Sequence, residues 1–143
     1  MKFTMKKMIK KSILAASLIS ISSLSMAAVC KGTITNNAVS NLNVPAGTIC
    51  TLNLSSVSGN VTVQKNASLI LNNSSIEGSV LADTAKSVQL VNSSIEGNLK
   101  VSQLSSALIL DKAMISGDLY CSSLVKARLN MSSVEGKMIG KCK

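Results

Sequence analysis

Glu77 and Glu96 stand 19 residues apart, each inside an Ile-Glu-Gly tripeptide. Stacked carboxylates could ligate calcium, or act as the acid and base of a small carbohydrate-active lyase or hydrolase. Calcium asks for about six or more oxygens. The same sequence column supplies only Ser58, Ser116 and Glu135 besides. A lyase asks for a strong base, yet the chain has no histidine and Arg128 as its only arginine. A solvated ladder of surface carboxylates, eased by Lys100, Lys137 and water, is the reading these residues favour. Asp83, Asp111 and Asp118 fall in other columns and suggest no cluster. No catalytic residue, cofactor or metal site is expected.

The four cysteines carry the other chemistry. Cys30 and Cys50 are 20 residues apart, and Cys121 and Cys142 are 21 apart. A zinc or redox site would want CxxC spacing or histidine, and neither is present. Disulfides are the expected use, and four cysteines allow three connectivities.

These residues sit in a repeat. Glycines recur at 59, 78, 97, 117 and 136, in steps of 19, 19, 20 and 19. Seven residues before each glycine stands a leucine: Leu52, Leu71, Leu90, Leu110 and Leu129. Further apolar columns begin with Cys50, Val57, Val61 and Val63, one residue per unit in each. Short runs such as Val61-Thr62-Val63 alternate apolar and polar, the period of a strand with one buried face. Polar runs such as Asn72-Asn73-Ser74-Ser75 read as turns. Each glycine marks a tight bend or a backbone conformation that a Cβ disfavours.

A fixed period of this size marks a solenoid. The expected fold is all-β: a single-stranded parallel β-helix, right-handed, of about five to six coils. A sandwich of hairpins gives no reason to keep one residue type in one column. Cysteines one coil apart then fall within the roughly 4.4–6.8 Å between Cα atoms that a bridge needs. Cys50 and Cys121 lie some three coils apart, or roughly 14 Å. The expected pairs are Cys30–Cys50 and Cys121–Cys142, one sealing each end.

Residues 1–27 read as a signal peptide. Five lysines precede a short apolar stretch from Ile13 to Leu24, and Ser25-Met26-Ala27 offers small residues for cleavage. The stretch is too short and serine-rich to span a bilayer. Five of the 15 basic residues leave with it, so ten remain against six acids, a net +4. Those ten are scattered, and Tyr120 is the one aromatic left, so no nucleic-acid partner and no membrane span in the mature chain are expected. The remaining boundaries are a cap and first coil at 28–54, regular repeats at 55–136 and a closing C-terminal cap at 137–143.

The motifs Val44-Pro45-Ala46-Gly47-Thr48-Ile49-Cys50-Thr51-Leu52, Gly59-Asn60-Val61, Gly117-Asp118-Leu119-Tyr120-Cys121 and Gly140-Lys141-Cys142 together resemble small secreted bacterial parallel β-helix proteins, a group without an assigned activity. The resemblance spans nearly all of the chain after the signal peptide and implies the same fold and the same cysteine pairs. The repeats are more weakly similar to those of bactofilins, which are filament formers without this cysteine frame. The expectation is a non-enzymatic structural or surface-interaction protein, secreted or periplasmic, with a protein or glycan partner. It would be monomeric or weakly associated end to end. The competing expectations are the carbohydrate-active enzyme and a self-assembling filament module.

Overall fold

The computed structural model describes residues 26–142, so all of the expected signal peptide except Met26 and Ala27 lies outside the described residues. From Ala28 onward the chain winds as an all-β parallel solenoid of about six turns, with no helix among the described residues. Each turn lays one strand on each of three walls. The first sheet has seven strands, from Ala28–Val29 to Met138–Cys142. The second has six, from Gly32–Thr35 to Ala127–Asn130. The third also has six, of two residues each, from Ala38–Val39 to Ser133–Val134.

The apolar columns become the interior. Leu52, Leu71, Leu90 and Leu110 stack in register and are at most 1% exposed. Val57, Ile76, Ile95 and Ile115 do the same on the third wall. Fully burying one such side chain is worth about 1.5–3 kcal/mol, and the interior is a continuous stack of them. The buried polar residues Ser55, Ser74 and Ser93 are not orphans. The Ser74 hydroxyl has the carbonyls of Asn72 and Leu52 at 2.8 and 3.0 Å as acceptors for its one proton, and accepts from the Ser55 backbone N–H at 3.1 Å. Ser93 repeats the pattern one coil on, accepting from the Ser74 N–H. In the next coil Ala113 stands in the column and offers no hydroxyl.

The glycines stack because two backbones meet there. The N–H groups of Gly78, Gly97, Gly117 and Gly136 each donate to the preceding glycine's carbonyl at 3.1 Å. A Cβ on Gly97 would lie 2.6 Å from the Gly78 carbonyl oxygen. None of the five repeat glycines has a positive φ, so close approach is the reason for them, not a left-handed conformation. The next residue along locks the stack. Side-chain oxygens of Asn41, Asn60, Ser79, Asn98 and Asp118 accept from the backbone N–H of the following coil at 2.8–3.0 Å.

Left-handed backbone occurs at two corners: between the first and second walls at Asn66, Thr84 and Gln103, and between the second and third walls. At the latter corner Asn36, Leu54, Asn73, Asn92, Lys112 and Met131 all have φ between 45° and 52°. Asparagine tolerates this region and leucine does not. Leu54 is also 60% exposed, so its side chain contributes little burial. Leu54→Asn is therefore expected to raise stability by about 1 kcal/mol, read as a higher urea midpoint with unchanged slope. An unchanged or lower midpoint would show that the corner stores no strain.

Candidate functional site

Glu77 and Glu96 follow the third wall in successive coils, directly after the register pair Ile76 and Ile95. Their backbone N–H groups donate to Val57 and Ile76 carbonyls at 2.8 Å, which fixes the column. Both side chains are exposed. Neither lines any of the four best-formed grooves among the described residues. Among the described residues no group of three or more His, Cys, Asp or Glu side chains could hold a metal ion. The structure thus brings the two carboxylates into one column, and builds nothing around them.

A groove of about 710 Å³ runs along the corner between the second and third walls. Ser56, Ser75 and Ser94 face Asn73, Asn92 and Lys112 across it. The deeper hydroxyls of Ser55, Ser74 and Ser93 also reach it, but they are engaged by backbone groups. Leu54 and Met114 also line it, so it is a shallow open channel of mixed character, not an enclosed pocket.

A charged cluster sits on the first wall. Tyr120 donates its hydroxyl to Asp118 Oδ2 at 3.1 Å, and Lys100 Nζ lies 5.3 Å from the Tyr120 ring centre. The Lys137 backbone N–H, and then the Tyr120 hydroxyl, hold the Asp118 carboxyl below its usual range. Asp118 in turn pushes the Tyr120 phenol up. The signs follow by linkage. The Asp118 contribution is present above the unfolded carboxylate pKa and is lost as pH falls through the lowered folded value. The Tyr120 contribution is present below the ordinary phenol value and is lost as pH rises through the raised one. The chain has one tyrosine, so alkaline absorbance titration reads it alone. Its midpoint is expected above that of free tyrosine, and Asp118→Asn should bring it down. A midpoint insensitive to Asp118→Asn would remove the pairing.

The cysteines pair as Cys30–Cys50 and Cys121–Cys142, with Cα–Cα distances of 5.4 and 5.3 Å. Two disulfides suit an oxidising, extracytoplasmic environment. The C-terminal bridge packs against the interior on the first-wall side alone, because Cys121 and Cys142 belong to neighbouring strands of that wall. The bridge lies along that wall, not across the bore. Gly140, with φ +97°, lies so close to the Cys121 carbonyl that a side chain would collide there.

The segment 138–142, expected within a closing cap, is itself the outermost strand of the first wall. Met138 continues the column of Leu99 and Leu119, and Leu129 continues the leucine column. Leu110 and Leu119, directly before them in those columns, are at most 1% exposed, whereas Leu129 is 41% and Met138 50% exposed. Val134, in the third interior column, is half-buried. Three strand edges end here together: Ala127–Asn130, Ser133–Val134 and Met138–Cys142. Lys126, Arg128, Lys137 and Lys141 all belong to this last coil, with Glu135 as its one acid. At the other end Cys30 is 2% exposed and Ile34 and Val39 are half-buried. This exposed C-terminal end was missed in the sequence. The signal was the unbroken column itself: among the described residues nothing folds back over Leu129 and Met138.

Comparison with protein-family models, with curated proteins and with solved structures returns no match for the chain.

Proposed function

We propose that the chain is a non-enzymatic structural β-solenoid, secreted or periplasmic, that works by contact through its C-terminal end. One observation carries the reading: interior-column side chains and three strand edges come to the surface together at that end. Free strand edges are ready-made pairing templates, and exposed core residues beside them give such pairing an apolar driving force. The resemblance to small secreted β-helix proteins supports the same class, and the weaker likeness to bactofilin repeats agrees with contact through solenoid ends. The carboxylate column offers no enclosed site to set against it.

Two measurements test the proposal. On a panel of polysaccharides the protein is expected to produce no cleavage. Turnover that disappears in Glu77→Gln or Glu96→Gln would make it an enzyme. In concentration-dependent sedimentation and vesicle flotation, Met138→Lys is expected to remove whatever association the protein shows, and Glu77→Gln to leave it. Association that survives Met138→Lys would move the contact surface elsewhere.

A further inference from the structure

We propose that the C-terminal end pairs with the C-terminal end of a second copy of this chain, about a twofold axis through the short third wall, giving a closed dimer. This rests on the reading of that end as the contact surface.

The argument is one of edges. The first wall has seven strands and the other two have six. Among the described residues the winding therefore both starts and finishes on the first wall. A coil rises by one strand spacing, about 4.8 Å, so each end is a spiral step and not a flat face. Head-to-tail stacking with like walls aligned would bring Met138–Cys142 of one copy and Ala28–Val29 of the next to the same place on the first wall, and separating them by one spacing would leave an empty rung on both other walls. Turning the next copy by one wall fills the rungs. It then sets the two-residue strands Ala28–Val29 and Ala38–Val39 on the longer Ala127–Asn130 and Met138–Cys142, and Gly32–Thr35 on the two-residue Ser133–Val134, so the edges match poorly.

A twofold axis perpendicular to the solenoid has no such conflict. Passed through the third wall, it sets Ser133–Val134 against itself. It sets Met138–Cys142 against Ala127–Asn130 of the second copy, and the converse. The spiral step then fits its own image, and all three edges gain an antiparallel neighbour at one spacing. The walls suit the exchange. The third is the distinct side, with strands of two residues, while the two that swap have longer strands. Leu129 and Met138, the two exposed interior residues, meet across the joint with Val134 between them. Self-matching surfaces of this kind make closed twofold dimers, not fibres.

Charge sets the strength. Lys126, Arg128, Lys137 and Lys141 of both copies belong to the coils that meet at the joint, and repel. The end is a single coil in cross-section, smaller than the roughly 800 Å² per partner of a standard interface. The dimer is therefore a weak one that tightens as salt screens the lysines.

The test uses full-length chain expressed and purified from an oxidising compartment, with reporter cysteines and a short bismaleimide at neutral pH. Ser133→Cys places an exposed thiol beside the proposed axis. It is expected to give cross-linked dimer and no larger species, with yield rising between low and high salt. Thr33 and Arg128 face outward at opposite ends of one column of the second wall. Thr33→Cys combined with Arg128→Cys is expected to give no ladder of oligomers. A ladder from that pair would mean head-to-tail stacking, and absence of dimer from Ser133→Cys at high salt would remove the twofold; either overturns the proposal. Flotation on anionic vesicles, weakened by salt and by Met138→Lys and without a Ser133→Cys dimer, would overturn the dimer. It would leave the C-terminal end standing as the contact surface.

Discussion

Gly97→Ala is expected to open the middle of the solenoid, at a cost of about 3 kcal/mol or more. The added methyl would meet the Gly78 carbonyl oxygen at 2.6 Å and its carbon at 2.7 Å. Both belong to backbone held by a strand on each side, so neither can turn away. Relief requires the two coils to part, which breaks the Gly97 N–H bond to Gly78 and the Asn98 N–H bond to the Ser79 hydroxyl. In a repeat array each unit is stable only against its neighbours, so a fault in the central coil splits the stack into two short ones. Gly47→Ala is the control. A Cβ there meets nothing within 4 Å, and the penalty is only that of φ +71°, about 1 kcal/mol. Urea unfolding and amide exchange of residues 76–101 would compare the two. Equal losses would mean that backbone conformation, not stacking, selects the glycines.

The same contact explains what the sequence disclosed and what it hid. The repeat was legible because each coil rests on the one before it, which forces glycine at 59, 78, 97, 117 and 136. The first coil has no coil beneath it. Ser40 and Asn41 stand where Gly59 later stacks, and the coil is one residue shorter there, between Val39 and Leu42, than the next between Val57 and Val61. Without the glycine the segment 36–43 reads as loose, yet Ala38–Val39 and Leu42–Val44 are regular strands. The bridges were legible because cysteines one coil apart must be neighbours. That the C-terminal bridge covers the first-wall side alone was not, since that depends on which wall each cysteine occupies. Glu77 and Glu96 were legible as a column, and a column is all they form. The corner of left-handed residues between the second and third walls was half legible. Asn36, Asn73 and Asn92 announce it, whereas Leu54, Lys112 and Met131 conceal it. A required conformation leaves no mark where a residue merely tolerates it.

Leu90→Ala and Leu129→Ala remove the same atoms from one column, and are expected to differ severalfold. Leu90 is fully buried, with Leu71 on one side and Leu110 on the other. Its truncation leaves a cavity that rigid walls cannot close, at a cost of about 2–5 kcal/mol. Leu129 rests on Leu110 alone and is 41% exposed. Solvent fills the space it vacates, so its truncation loses part of one transfer term, about 1 kcal/mol in dilute protein. Terminal coils also open locally before the whole stack does, which further hides the loss in a global unfolding curve. The difference should shrink with concentration. Where C-terminal ends meet, Leu129 becomes an interior residue, and its truncation should then cost stability that depends on protein concentration, as linkage to association requires. Urea midpoints measured at low and at high protein concentration decide it. The Leu90→Ala deficit should be the same at both, and the Leu129→Ala deficit larger at the higher. If both deficits ignore concentration, Leu129 remains a solvated end residue and the pairing of ends has no thermodynamic trace.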